Sequence, residues 1–562
     1  MTKLRGWLAA CAAIPALAAC SRTPRAPCAV LITLDTTRAD AIGCFGGRAG
    51  VTPRLDALAL ESVAYTAAST VAPVTLPAHA SMMTGLVPPR HTLRDNGLRP
   101  LPAGATTVAE IARAGGCETA AFVSAAVLER AWGLAQGFDV YDEPPPASGG
   151  ATAHIEERPS AEVVGAACEW LRDRDASKPY FLWVHLFDPH APYEPPKRFL
   201  DQAGGISYLG EVAAMDHAVG ELLDALRRDP AWERTTVVVA ADHGESLGQH
   251  GEPTHSIFCY RPVIRVPLLI RHAGAARGGE RSAETVSVVD VAPTLVEALS
   301  LAVPAGLDGF SLARGSVPAD RGAYFESCVG WLNYGWSPIV GLADARGKLI
   351  ASPGSELFAP EDDPYEKKDR APSEPAEVER YRARIAEIAS RPALAAESAA
   401  RIDEATRARI KSLGYAGAGD PEAAMPDPLA DTGLPSPKDR VAELAEYYAA
   451  LQEANSGAIE SAIAKLEGIA RTNPGNVAAL DVLGSLLVKA GRSREAIPVL
   501  ERILARGPTR VTTLTGLGRC HESLREFEKA LEAYQAAVQL KPGGAAEIAD
   551  VARVLEALGR KE

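Results

Sequence analysis

Cysteine is scarce and scattered in this chain. Nine occur in 562 residues, and none falls in the Cys-x-x-Cys spacing of a zinc cluster or a redox pair. With Cys11 and Cys20 assigned to an amino-terminal signal, Cys28, Cys44, Cys117, Cys168, Cys259, Cys328 and Cys520 remain, an odd set that builds no dense disulfide framework. A basic excess is missing too: 58 Lys and Arg stand against 71 Asp and Glu, a net charge of −13. That balance leaves no electrostatic footprint for nucleic acid. An anionic ligand would have to be held by a local site, a metal above all, against the field of the whole chain. Beyond the first twenty residues no apolar run approaches the about 20 residues that span a bilayer. What is present is ordinary globular composition, 47% hydrophobic and 23% charged, in a chain too long for one core.

The beginning reads as a targeting segment. Lys3 and Arg5 precede an apolar run from Trp7 to Ala19 that is signal-like and too short to span. It ends Leu17-Ala18-Ala19-Cys20, which resembles the bacterial lipobox. The resemblance implies cleavage after residue 19, a lipid on Cys20, and a short tether over 20–28. Ser21 after the cysteine favours the outer membrane, facing the periplasm, as the destination. A plain secretory signal is the alternative.

From 29 to 415 short apolar runs alternate with amphipathic stretches. Ala29–Leu34, Phe181–His185, Thr236–Ala241 and Pro267–Ile270 read as strands buried on both faces. Thr107–Ala114, Ala161–Arg172 and Glu211–Arg227 read as helices between them. The alternation predicts an α/β domain, a mostly parallel central sheet with helices on both faces, and ligands at the carboxyl ends of its strands. Residues 416–437, rich in Gly, Ala, Pro and Asp, read as a linker. Beyond it Pro474, Pro508 and Pro542 recur every 34 residues, as do Ala462, Ala496 and Ala530, and Gly484 and Gly518. That period matches the tetratricopeptide repeat. It predicts an all-α solenoid over 438–562, with three repeats and a capping helix from Ala545 to Leu558.

Three stretches carry the chemistry. Asp35 ends the first buried strand and Asp242 ends a later one, which aims two carboxylates at one sheet edge. His243 adds a nitrogen donor, and Gly244 permits a tight turn. A lone Asp after a strand is more often a cap or turn residue, whereas Asp-His-Gly-Glu is more specific. Thr75 precedes Pro77 at the start of a predicted helix that ends at Gly85. Taken alone, a Thr there is an N-cap; beside a metal its hydroxyl becomes a nucleophile. His185 lies within a strand, equally a core histidine or a ligand.

Together these blocks resemble the sulfatase family of the alkaline-phosphatase superfamily. Leu34–Asp40 with Gly43–Gly46, Thr52–Ala59, Thr75-Leu76-Pro77, His91–Asn96, Asp188–Tyr193, Asp242–Glu245 with His255, Val289–Thr294 and Leu307-Asp308-Gly309 occur in the family's order. The resemblance implies metal ligands Asp35, Thr75, Asp242 and His243. It places Asn96, His190 and His255 on the ester oxygens, with His185 and Ser124 nearby, and makes Thr75, His190 and His255 the catalytic group. Sulfatases proper carry Cys or Ser within Cys-x-Pro-x-Arg, oxidised to formylglycine. Here Thr75 and His79 stand at those positions, Thr36 replaces the second Asp of the usual pair, and His243 stands where many sulfatases have Asn. A threonine cannot become that aldehyde, so no formylglycine is expected. The changes point toward phosphate mono- or diesters, or phosphonate esters, and one divalent metal, zinc or manganese ahead of calcium. The alternatives are a sulfuric ester hydrolase, a phosphoethanolamine- or phosphoglycerol-type transferase, and a degenerate envelope scaffold working through its repeats. A protein or peptide partner is expected for the repeats.

Overall fold

The computed structural model describes residues 26–144, 158–315, 317–359, 362–395, 425–506 and 510–560. The signal segment, Cys20 and the first part of the expected linker lie outside these residues.

Strands β1 (Cys28–Leu34), β2 (Val63–Ser69), β3 (Glu118–Phe122), β4 (Val140–Asp142), β5 (Tyr180–Leu186), β6 (Thr235–Ala241), β7 (Leu268–Arg271) and β8 (Arg281–Ser287) form one sheet, ordered β4-β3-β5-β1-β6-β7-β2-β8. β1 lies between β5 and β6 and runs parallel to both, with Leu34 opposite Leu186 and Ala241. Every residue of these three strands is buried, which is why they read as unbroken apolar runs. β7 runs antiparallel to β6 and β2, so the sheet is mostly parallel. The carboxyl ends of β5, β1 and β6 therefore share one edge, and the residues that follow them meet there.

Local chemistry sets the helices around it. Thr107 and Glu110 exchange the two hydrogen bonds of a capping box, at 3.2 and 2.9 Å, and start helix Val108–Ala114. Helix Thr75–Thr84 is buried along its whole length and ends at Gly85, whose φ of 70° a side chain would strain. A second, antiparallel sheet follows: β9 (Ala323–Ser327), β10 (Ile339–Asp344), β11 (Gly347–Ala351) and β12 (Glu356–Phe358). The periodicity reading gives no sign of it, because its short strands share no common pattern with the buried parallel ones.

The repeats are three helical pairs: Val441–Asn455 with Ile459–Thr472, Val477–Lys489 with Ser493–Leu504, and Val511–Ser523 with Phe527–Leu540. Helix Ala545–Ala557 follows them. The periodic small residues sit where helices cross. Ala462, Ala496 and Ala530 are fully buried. A Cβ on Gly484 would lie 2.9 Å from Leu500 Cδ2, and one on Gly518 would lie 2.5 Å from Tyr534 Cε1.

The second half of the expected linker is docked rather than spanning open space. Cys328 Sγ donates to Met425 Sδ (3.3 Å), Ser337 N–H donates to Pro435 O (2.9 Å), and the Ser352 and Ser436 hydroxyls bond at 3.0 Å. One hydrophobic cluster runs from Cys28 through both sheets into the repeats as far as Cys520. Among the described residues no helix is long and apolar enough to cross a membrane.

Candidate active site

The edge formed by β1, β5 and β6 gathers Asp35, His185, Asp242 and His243, all fully buried. Helix Thr75–Thr84 points its first turn at the same place. Val74, not Thr75, is the residue ahead of this helix, and no side chain of either caps it. The cap reading of Thr75 therefore fails. The helix entry is met by Asn96, whose Oδ1 accepts from Leu76 N–H at 2.8 Å. The Thr75 hydroxyl is left to face Asp35 Oδ2 at 3.5 Å and His243 Nε2 at 3.4 Å.

The hydrogen bonds fix how each imidazole is used. His243 Nδ1–H donates to Gly244 O at 3.0 Å, which turns the Nε2 lone pair toward Thr75. His185 Nδ1 accepts from Ser124 N–H at 3.4 Å, so Nε2–H donates to Asp35 Oδ2 at 3.2 Å. Ser124 Oγ donates to the backbone carbonyls of Arg158 and His185. His185 thus holds Asp35 in place, and Ser124 holds His185. His255 Nδ1–H donates to Glu245 Oε1 at 3.2 Å, and its ring lies 4.5 Å from that of His243. His190 stacks on Phe187 at 4.3 Å and meets the His255 ring edge-on at 5.3 Å. The loop that carries it thereby brings it to the site from the far side of the sheet edge.

Burial decides the charges. It pushes the pKa of His190 and His185 down to about 4 and that of His79 to about 3, and it holds His255 well below the usual range. These rings are neutral near pH 7. Burial also raises the carboxyl pKa values of Asp35 and Asp242, each strained further by a neighbouring carboxylate. His243 resists desolvation because Asp242 and Asp35 outweigh it and raise its pKa. Asp35 Oδ1, Asp242 Oδ2 and Asn96 Nδ2 are buried with no hydrogen-bond partner among the described residues. Two orphaned carboxylate oxygens and a turned imidazole are what a divalent cation would satisfy. Ligand atoms of Asp35, Asp242 and His243 all lie within 4.8 Å of one another.

Two residues near this centre carry roles that the motif reading did not assign. Glu245, the last residue of Asp-His-Gly-Glu, orients His255. His79 binds Thr75 O through Nδ1 at 2.8 Å and stands 3.7 Å from Asp242 Oδ2. The spacing Thr75…His79, one helical turn, was the available signal. Other histidines lie elsewhere: His91 is bonded to Ser81 Oγ at 2.9 Å, His217 is half-exposed beside Glu221, and His250 stacks on Tyr260. Asp290 in the tail block serves the fold, gripping Arg321 through both oxygens at 2.6 Å.

Comparison with known proteins agrees with this architecture. Residues 27–301 match the family model described as Sulfatase, and residues 482–545 match that of the tetratricopeptide repeat. An ulvan-active sulfatase of Formosa agariphila is 27% identical over 347 residues, covering 52% of this chain and 65% of that protein. An arylsulfatase of Clostridium perfringens is 26% identical over 197 residues, 27% of this chain and 41% of that one. The chain thus spans less than two thirds of the length of these relatives. Among solved structures, the phosphonate monoester hydrolase of Agrobacterium radiobacter superposes with a TM-score of 0.56 at 21% identity, covering 64% of this chain and 95% of that one. Through its sheet-bearing domain the chain is similar to the sulfatase family, and behind it lies a match to the tetratricopeptide repeat.

Proposed function

We propose that this protein hydrolyses phosphate mono- or diesters, or phosphonate esters, through a covalent intermediate on Thr75. One observation carries the reading: a fully buried threonine hydroxyl heads the site helix without capping it, with Asp35 at 3.5 Å and His243 at 3.4 Å. The fold does not choose the ester, since sulfatases and a phosphonate monoester hydrolase both share it. Thr75 is what argues against sulfate, because its carbon cannot bear the aldehyde hydrate of the sulfatase reaction.

Asp35, Asp242 and His243, joined by Thr75 Oγ1, are the residues that would hold a divalent cation. The mixed oxygen and nitrogen set suits zinc or manganese better than calcium. When bound, such an ion lowers the pKa of a coordinated hydroxyl and offsets the charge of the ester. The remaining steps belong to the chain. The Thr75 oxygen attacks phosphorus, the bond to the leaving oxygen breaks on the opposite side, and the Thr75 proton ends on that oxygen as the alcohol departs. Asn96 Nδ2 offers a donor to the equatorial oxygens, and the dipole at the helix amino terminus favours their charge. His255, with its Nδ1–H committed to Glu245, keeps Nε2 as the basic nitrogen. It takes a proton from the water that then attacks phosphorus, and passes it to the departing Thr75 oxygen, so that the phosphate, its monoester or the phosphonate is released and the hydroxyl restored. His190, neutral and beside His255, lines the same oxygens. The lipid anchor expected at Cys20 belongs to this proposal: it would hold the hydrolase to the cell envelope, at the outer membrane.

The test is a panel of aryl phosphate, phosphodiester, phosphonate and sulfate esters, with Thr75→Ala and Thr75→Ser alongside. Phosphorus ester turnover that Thr75→Ala abolishes, by about a thousandfold or more, and Thr75→Ser partly keeps is expected. Turnover of the sulfate ester alone would overturn the substrate class, and undiminished Thr75→Ala would overturn the nucleophile.

A further inference from the structure

The pairing of β1 with β6 ends at Leu34 and Ala241, one residue short of Asp35 and Asp242. From there the two chains leave the sheet as separate loops, and a cation that needs ligands from both is sensitive to any play between them. The loop after β1 is shaped first. Thr36 takes a left-handed turn at φ 45°. The Thr37 hydroxyl donates back to Asp35 O at 2.9 Å. Tyr208, from helix Ser207–Arg228, donates its phenol to Thr36 O and accepts from Arg38 N–H, both at 2.9 Å. These bonds fold the segment so that the Arg38 side chain reaches the loop after β6.

Arg38 is 7% exposed, and its guanidinium is fully committed. Nε and Nη2 form a two-point bond to the Asp40 carboxylate, at 2.8 and 2.7 Å. Nη1 donates to Glu245 O at 3.0 Å and reaches Ser246 O at 3.5 Å. With its amide oxygen turned inward, Gln249 accepts from Nη1 and Nη2 at 3.2 Å each. The five N–H groups of the fork are thereby used, and none is left for an ester oxygen. The carbonyls it meets on the far loop belong to the turn directly after Asp242-His243-Gly244. That turn is tight: Gly244 N–H donates to Val263 O at 2.8 Å, and a Cβ on Gly244 would collide with Pro262 O. His243 is oriented by Gly244 O, and Glu245 orients His255. A planar fork bonded to a carboxylate on one side and a carbonyl on the other is a rigid strut, a geometry that a lysine ammonium does not offer.

We infer that Arg38 is a positioning residue: locked by Asp40, its guanidinium clamps the loop after β1 to the turn after β6 and so sets Asp35 against Asp242 and His243. Through Glu245 the same clamp sets the His255 imidazole. The inference rests on the cation reading of the site for its consequence and on these hydrogen bonds for its geometry. Arg38 acts through the backbone of the two loops, so the spacing of the ligand atoms should respond to its loss while the central strands stay in place.

The test uses the full chain, freed of metal and titrated with zinc or manganese alone. Arg38→Lys keeps the charge and loses the fork. Its dissociation constant for either ion should rise by about 10- to 100-fold, the range over which partners behind metal ligands act. In the metal-free, histidine-labelled protein the His255 ring resonance (identified by its loss in His255→Asn) should shift. Asp40 is more than half exposed, so Asp40→Asn should fold and should weaken the ion in the same direction by a smaller factor. In an Arg38→Lys background it should add nothing, because neighbours acting through one group are not additive. Should Arg38→Lys fail to fold, Asp40→Asn decides alone. An unchanged dissociation constant, with or without a lower melting temperature, makes Arg38 a brace of the fold only and overturns the inference. A full multiplicative loss in the double variant overturns it too. If the wild type binds neither ion, the cation reading fails by itself; a displaced His255 resonance then keeps Arg38 as a positioning residue, and an unmoved one overturns it.

Discussion

Asp95 sits beside the site residue Asn96, is only 4% exposed, and among the described residues has a single hydrogen bond, from the Asn96 N–H at 2.8 Å. Burial pushes its pKa up to about 7. An unfolded chain releases that proton near pH ~3.9, so between the two values the folded protein binds more protons. Stability is therefore full below the unfolded value and falls as pH rises toward the folded one. Asp95→Asn keeps the shape and removes the charge. Its unfolding free energy in urea melts should exceed that of the wild type by a margin that widens from about pH 4.5 to about pH 7.5, reaching about 2–4 kcal/mol. A margin constant with pH would refute the assignment. At the same scale, Thr75 and Thr36 show how one residue type takes two forms here. Thr75 Oγ1 faces the ligand cluster, while Thr36, at φ 45°, is buried with its hydroxyl unpartnered among the described residues.

Helix crossings in the repeats separate two glycines that a propensity table would treat alike. Gly518 lies in helix Val511–Ser523 with Tyr534 where its Cβ would be, at 2.5 Å. Gly468 lies in helix Ile459–Thr472 with no atom within 4 Å of that position. Alanine favours a helix interior by about 0.8–1.0 kcal/mol over glycine. Gly468→Ala should therefore raise the melting temperature. Gly518→Ala should lower it, because overpacking costs about 1–3 kcal/mol and exceeds the propensity gain. Equal shifts in thermal melts would mean that the crossing has more room than the glycine implies. The helix at Thr75 follows a different logic. Its residues are buried all round, so its place is dictated by the sheet edge and by Asn96 rather than by an amphipathic stripe.

For the whole molecule, the cation and the fold are linked. Buried Asp35 and Asp242 repel one another, and an ion that binds only the folded state stabilises it by about 2.7 kcal/mol at a hundredfold excess over its Kd. Chelation should lower the melting temperature, and zinc or manganese should restore it. Asp242→Asn should lose the response while remaining folded, since it relieves the same repulsion. Recovery with calcium alone would reverse the metal preference, and no response to any ion would remove the cation from the site. At the same scale, the hydrolase domain and the repeats share one hydrophobic cluster that reaches Leu517 and Cys520 of the last repeat, whose other buried residues form two small clusters of their own.

Sequence alone determined the buried strands, since a run apolar on every residue suits only the middle of a parallel sheet. It also determined the repeat, because Gly484, Gly518 and the alanines recur at helix crossings that tolerate nothing larger. It placed Asp35 and Asp242 at strand ends, and strand ends of one parallel sheet share an edge. The antiparallel sheet, the service of His185 and Ser124 behind Asp35, and the part played by Glu245 came only from tertiary structure. Each depends on which neighbour a polar atom meets, and periodicity carries no record of that. Thr75 shows the division most clearly. Its place at the start of a helix was legible, but whether its hydroxyl capped that helix or faced the carboxylates depended on Asn96 arriving from a separate loop to accept from Leu76 N–H.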